Sequence, residues 1–373
     1  MMDAIPLTHA GAGERELTAV AEVFFAGQGP QGQALEAELA HRFGAGGACA
    51  VSGRGDALHL ALLGLGVEPG DEVIVADYTV PAPAHAVRRA GAVPVFADVR
   101  ADTGTVDPWA VADLVGPRTV GVIAADTAGL PADYTELEWV TGRHGLFLVE
   151  DAACAAGASY KGRRAGALAP VACLSFHGYD GATSGAGGAL LTRDPAFAAA
   201  ARTRSLSRTG HDHTLPDSAA ATLRIRLART DELLQRRSAV AARYADRLTD
   251  DDLLSPPHVP QNRTHAWQSY LVTLDPSVDR AAVAADLRAQ GIGCGHGSWA
   301  THPRPGYERT KHACPVAADL SRRNLAIPMH TELTLSQVER VADALRTALR
   351  THRRADFPTA KNNSADITCG GTR

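Results

Sequence analysis

The amino-acid sequence predicts an α/β protein: a mostly parallel sheet covered on both faces by helices, followed by a smaller α+β unit. Three observations predict it. Short apolar, β-branched runs recur without polar alternation, as strands buried on both faces require. Helix-periodic segments separate them, the pattern of parallel crossovers. At 373 residues, with 45% hydrophobic and 21% charged residues, the chain is also long enough for one large domain and a smaller one.

The elements follow in order. LTAVAEVFFAGQ (17–28) and LEAELAHRFGA (35–45) have helical period. GACAVS (47–52) is a short apolar strand, and GDALHLALLGLG carries leucines at three- and four-residue spacing, a helix packed on both sides. VEPGDEVIVADY gives a turn and a strand, PAPAHAVRRAG a helix and AVPVFADV a strand. TVGVIAAD (119–126) and GLFLVED (145–151) are further strands, the second preceded by the helical YTELEWVTGRHG. APVACLSF (169–176) and GGALLT (187–192) read as paired strands around a glycine-rich loop, and 217–247 as one long helix with an arginine-rich face. QSYLVTL and the helical DRAAVAADLRAQG open the small unit, and TLSQVERVADALRTALR closes it. The expected division is 1–248, 249–350 and a polar, aperiodic tail, 351–373, without order.

Composition excludes several classes. A net charge of −4 gives no electrostatic pull toward nucleic acid or an anionic membrane. No apolar run is long enough to span a bilayer, and MMDAIPLTHAGAGE has no signal-peptide pattern, so a cytoplasmic protein is expected. The cysteines at 49, 154, 173, 294, 314 and 369 show no regular spacing and read as reduced thiols. With the 15 histidines they form neither CxxC nor HExxH, and no metal is assigned.

Ligands of open α/β sheets sit beyond the carboxyl ends of the strands. SGRGD (52–56) opens a helix there. Its N–H groups at 54–56 can hold a phosphate or carboxylate and Arg54 can add a charged fork, although a plain turn with Arg54 in solvent remains open. It is not a dinucleotide fingerprint, because the third glycine is absent. Asp151 ends an apolar strand beside Glu150 and needs a cationic partner or a helix to cap. A functional Asp151 would hold a protonated ring nitrogen or move protons. The loop 174–188 gathers Ser175, His177, Tyr179, Asp180, Thr183 and Ser184. Ser175 can donate to an anion, His177 titrates near neutrality, and Asp180 sharing a pocket with Asp151 would form an acid/base pair; a solvated hairpin is the alternative. ADYT places Tyr78 at a strand end. His59 and His85 read as core residues. GHGSWATH, with His296, Trp299 and His302, lines a substrate mouth or forms a surface loop. Any amine nucleophile must be Lys161, Lys311 or Lys361, the three lysines among 37 basic residues.

VSGRGDALHLALLGLGVEPGDEVIV, AVRRAGAVPVFADV, HGLFLVEDAACAAGASYKGRRAG, SFHGYDGATSGAGGALLT, DELLQRRSAVAARYADRL and NLAIPMHTELTLSQV together resemble the DegT/DnrJ/EryC1/StrS sugar aminotransferase family, over about residues 12–350. The resemblance implies an aspartate-aminotransferase-type (fold type I) architecture with a seven-stranded sheet, bound pyridoxal phosphate, and amination of keto sugars, often nucleotide-linked, or of ketocyclitols. It also implies a homodimer with its sites at the interface, and a small-molecule substrate.

Measured against that family, the chain departs at its chemistry. Asp180 stands at the Schiff-base lysine, Arg54-Gly55 at the Gly-Thr of the phosphate turn, and Val80 at the ring-stacking aromatic. Cys154 replaces a glutamine or histidine, and Asp212 falls at a phosphate-contacting asparagine. Lys161 matches a family lysine outside the Schiff-base position. Asp151, facing the pyridine nitrogen, and Ser175, touching phosphate, survive. Losing the amine leaves only noncovalent retention, and losing the stacking ring removes roughly 1 kcal/mol.

The expectation is therefore a lysine-less enzyme of specialised, antibiotic-like biosynthesis. It would act on a sugar, nucleotide sugar or aminocyclitol without any cofactor, using Asp180, His177 and Asp151 as acid/base groups. Arg54, Gly55, Ser175 and Asp151 form its anion site. Tyr78, Tyr179, Glu150, Cys154, Asp212, His296 and Trp299 line its substrate pocket. Two alternatives stand beside it: noncovalent pyridoxal or pyridoxamine phosphate, and a silent subunit paired with an intact paralogue.

Overall fold

A computed structural model describes residues 4–8, 13–26, 31–177, 186–206, 213–307 and 313–354. In chain order the larger body holds α1 (Glu14–Ala26), α2 (Gln31–Phe43), β1 (Gly47–Val51), α3 (Arg54–Gly64), β2 (Glu72–Ala76), α4 (Ala82–Arg89), β3 (Val93–Ala97), α5 (Pro108–Leu114), β4 (Thr119–Ala125), α6 (Tyr134–His144) and β5 (Phe147–Asp151). There follow a small hairpin of β6 (Ser159–Tyr160) and β7 (Arg163–Arg164), then β8 (Val171–Ser175), β9 (Gly188–Thr192), α7 (Pro195–Ser205) and α8 (Asp217–Ala228), and then α9 (Thr230–Leu248), whose buried residues pack with the second sheet. The smaller body holds β10 (Leu254–Ser255), β11 (Tyr270–Leu274), α10 (Arg280–Ala289), β12 (Gly295–His296), α11 (Pro315–Arg323), β13 (Asn324–Ile327) and α12 (Leu335–Thr351).

The main sheet has seven strands in the order β1-β9-β8-β5-β4-β2-β3. β3, β2, β4, β5 and β8 run parallel, and β9 runs antiparallel to both its neighbours. Continuous apolar runs such as VACLS in β8 and GALLT in β9 are buried at every position, because helices cover both faces. The second sheet, β10-β11-β13-β12, is antiparallel. Its core joins Tyr270, Val272 and Ile327 to Tyr244 and Leu248 of α9 and to Val338, Val341 and Leu345 of α12.

Two local expectations change. The helix expected over 217–247 breaks at Arg229 (φ −102°, ψ 4°), where Thr230 Oγ1 bonds back to the Leu227 carbonyl at 2.9 Å and starts α9 in a new direction. His85 is exposed rather than buried: it lies on the outer side of α4, stacked at 5.9 Å on Tyr307. His59 is half-buried, edge-on to His213 at 6.5 Å. The aperiodic tail beyond Arg354 lies outside the described residues. No helix among the described residues is long and apolar enough to cross a membrane.

Candidate active site

Where β2, β4, β5 and β8 end, a cavity of about 320 Å³ opens between the main sheet and the smaller body. Thr79 and Val80 follow β2, Asp126 follows β4, Asp151 ends β5, Ser175 ends β8 and His177 lies just beyond it; all line the cavity. Arg54, the first residue of α3, enters from the side. His296 and Trp299 face them from the smaller body, their rings 6.3 Å apart, with the Arg304 guanidinium 5.4 Å from the Trp299 centroid. Cys154 completes the wall beneath Asp151.

The turn into α3 is shaped for close approach. Gly53 is extended and leaves the helix start without a side-chain cap, and a Cβ at Gly53 or Gly55 would meet only open space. From the other side a Cβ on Gly188 would stand 2.6 Å from the Gly53 carbonyl carbon and 2.7 Å from Arg54 N, so β9 reaches the turn only as glycine. An uncapped helix N-terminus with an arginine beside it attracts anions. The acidic residue of the first turn, Asp56, is ion-paired with Arg89. Burial pushes its carboxyl up, but Ser52, Arg89 (3.0 Å) and His213 (3.1 Å) outweigh burial and hold it below its ordinary value.

Asp151 is buried, and its Oδ1 accepts the Ala153 N–H at 3.3 Å. Burial raises its proton affinity and the Arg54 charge opposes that rise, so Arg54 supplies the cationic partner that a carboxylate here requires. Ser175 Oγ accepts the His177 N–H at 3.3 Å, which ties the two residues together at the strand end. At the mouth, Arg280 donates to His296 Nδ1 at 2.9 Å. Because a guanidinium can only donate, the neutral imidazole carries its proton on Nε2, and burial with Arg280 and Arg288 lowers its basicity.

Several expected site residues lie elsewhere. Strand alternation sends Glu150 to the opposite side from Asp151, where its carboxyl accepts N–H groups of Gly166 (2.5 Å), Leu168 (2.7 Å) and Ala169 (3.4 Å). Tyr78 turns into the junction between the two bodies: its hydroxyl accepts from Ser298 N (3.1 Å) and Asn324 Nδ2 (2.7 Å), and burial pushes its ionisation up to about 12. Gly55 shapes the turn without lining the cavity. Tyr179, Asp180, Thr183, Ser184 and Asp212 lie outside the described residues, as do Lys311 and Lys361. Lys161 sits in the β6–β7 turn, donating to Thr135 Oγ1 at 2.8 Å, and no lysine is among the described residues that line the cavity.

Asp126 is the residue sequence reasoning missed, although it ends an apolar strand just as Asp151 does. Its Oδ1 accepts Tyr134 Oη and Ala132 N, both at 2.9 Å.

A mostly parallel sheet with polar groups converging at its carboxyl ends beneath a smaller α+β unit is the fold type I architecture of pyridoxal-phosphate-dependent transferases. Residues 11–346 match the family model of the DegT/DnrJ/EryC1/StrS aminotransferase family, and the chain belongs to that family. Among solved structures it is similar to the aminotransferase TlmJ from Streptoalloteichus hindustanus (32% identity, 94% of this chain and 100% of that one, TM-score 0.88). It is also similar to S. venezuelae DesV in complex with a ketimine intermediate (34%, 93% and 98%, TM-score 0.87). At 23% identity the fold is shared with the putative sugar aminotransferase Spr1654 from Streptococcus pneumoniae in its PLP-form (94% and 99%, TM-score 0.89), which was also solved in a PMP-form.

These findings overturn the expectation of a cofactor-free, PLP-independent protein. The family is one of aminotransferases, and its solved relatives include PLP- and PMP-forms, which points to pyridoxal phosphate rather than to no cofactor. The cavity fits such a group at two points. The open turn at Gly53–Gly55 with Arg54 and Ser175 suits a dianionic phosphate, and the buried Asp151 carboxyl suits a protonated ring nitrogen. Val80, which the resemblance sets at the ring-stacking position, is among the residues that line the cavity.

Proposed function

We propose that this chain binds pyridoxal or pyridoxamine phosphate without a covalent bond and acts on a small keto-sugar or aminocyclitol-type substrate in specialised biosynthesis. The observation that supports this reading is the grouping of Arg54, Asp151 and Ser175 around one cavity whose described lining has no lysine, Lys161 being tied to Thr135. Backbone N–H groups of α3, Arg54 and Ser175 would hold the phosphate, and Asp151 would hold the ring nitrogen. Bound there, the cofactor would supply an electron sink.

The chain's own groups move the protons. His177, two residues beyond the end of β8 and lining the cavity, takes and returns a proton at the reacting carbon, with Asp180 three residues further along the chain as a second acid/base group. Arg54 opposes the rise in proton affinity that burial imposes on Asp151. His296 donates from Nε2 to a substrate hydroxyl at the mouth, and Trp299 covers an apolar sugar face. The chain works as a homodimer with the site at the interface, divided near residue 248 into its two domains.

Equilibrium dialysis against pyridoxamine phosphate tests this reading. One molecule retained per chain, released on dilution and weakened by Arg54→Ala and Asp151→Asn, is the expected result. Failure to retain either form of the cofactor at millimolar concentration refutes it.

A further inference from the structure

We propose that Asp77, His302 and Cys314 form a binding site for a divalent transition cation such as Zn²⁺, behind the cavity wall. The three come from distant parts of the chain: the residue after β2, the loop following Trp299, and the residue preceding α11. One ligand-competent atom of each lies within 4.8 Å of the other two. Oxygen, imidazole nitrogen and thiolate sulfur together are a donor set that suits zinc rather than magnesium or calcium.

Each residue is held in a way a cation would satisfy. Asp77 is fully buried, with Oδ1 accepting the N–H groups of Thr301 (3.0 Å) and His302 (2.7 Å) and Oδ2 lying 2.6 Å from His302 Nδ1. The backbone bonds orient the carboxylate and leave Oδ2 as the ligand atom. Cys314 is 2% exposed, and its sulfur lies 3.7 Å from the Phe96 carbonyl. Burial, Asp77 and Asp98 all oppose thiolate formation, and a dication between the groups reverses that balance. Asp98 itself caps α11 through Val316 N (3.0 Å) and Ala317 N (2.8 Å), so it steers charge without being a ligand.

Binding exchanges a proton for the ion. The Cys314 proton leaves to solvent, the proton between His302 Nδ1 and Asp77 Oδ2 moves to His302 Nε2, and small rotations bring the three atoms to roughly 2.0–2.3 Å from the metal. The His302 side chain is 23% exposed, which leaves a fourth position for water. An ion here joins the end of β2 to the loop carrying Ser298 and Trp299, and so fixes that part of the cavity wall.

Titrating the untagged, chelator-treated full chain with Co²⁺ tests the site. The expected result is one equivalent bound with intense tetrahedral visible bands and a thiolate-to-cobalt band in the near ultraviolet, all displaced by Zn²⁺. Cys314→Ser should remove the thiolate band. His302→Gln, at a partly exposed position, should weaken binding beyond the roughly 10–100-fold that losing an outer-shell partner causes, with an unchanged circular dichroism spectrum. No stoichiometric cobalt, or bands that persist in both variants, overturns the proposal.

Discussion

Asp126, after β4, and Glu150, in β5, are two buried carboxyl groups close enough for each to influence the other's proton. Oδ2 of Asp126 has no N–H or hydroxyl donor in reach, while Glu150 already accepts three backbone N–H groups. Asp126 Oδ1 accepts Tyr134 Oη and Ala132 N, and the nearby Glu150 adds to burial in favouring the protonated form of Asp126. Burial raises the proton affinity of both, and like charge raises that of Asp126 further; Glu150 reaches about 7.

This pair makes stability pH-dependent in a definite direction. Between the ordinary value of 4.5 and about 7 the native Glu150 keeps a proton that the unfolded chain releases. Stability is then fullest below the lower value and falls as pH rises through the upper one, by on the order of 3 kcal/mol. Asp126→Asn removes the second buried carboxyl, whose own proton affinity is raised by burial and by Glu150, and leaves the burial of Glu150 as it is. Urea denaturation at pH 5 and pH 8 should show a marked loss in the parent chain and a smaller one in the variant.

Arg54 serves both the phosphate turn and Asp151, so its loss should act twice. Arg54→Ala is expected to weaken pyridoxamine phosphate binding about 10- to 100-fold, the scale of one charged hydrogen bond. It should also raise the apparent pKa of Asp151. Affinity measured from pH 5 to 8 should fall more steeply toward acid in the variant than in the parent.

Putting a ring back should help. Val80→Phe restores a stacking face worth about 1 kcal/mol, so affinity for pyridoxamine phosphate should rise roughly fivefold. Unchanged or weaker binding, measured by fluorescence titration, would place Val80 away from the cofactor ring.

Tyr78 is a structural post, and its hydroxyl should matter for folding. Tyr78→Phe leaves Ser298 N and Asn324 Nδ2 without their acceptor, at a cost of about 1–3 kcal/mol. The denaturation midpoint should drop with the slope unchanged. A variant as stable as the parent would show that the two donors find water instead.

The fold was legible because strands buried on both faces must be apolar without interruption, and GACAV, EVIVA, VGVIAA and VACLS are. Asp151 and Ser175 were legible for a related reason: a polar group ending such a strand reaches the carboxyl edge of the sheet. The same signal marked Asp126, which was overlooked, and misled at Glu150, where alternation along β5 turns the neighbour of Asp151 to the other side. Tyr78 also ends its strand, but its hydroxyl is claimed by Asn324 and Ser298, more than two hundred residues away. No local pattern records that. Periodicity ran on past Arg229, so the break between α8 and α9 was invisible; it depends on packing against two different cores.

Reduction with borohydride in the presence of pyridoxal phosphate, followed by peptide mass mapping, tests the central claim most directly. The account predicts no pyridoxyl-modified lysine in the parent chain and one new modified peptide in Asp180→Lys, which supplies the missing amine. A stoichiometric pyridoxyl group on Lys161, Lys311 or Lys361 of the parent would contradict it.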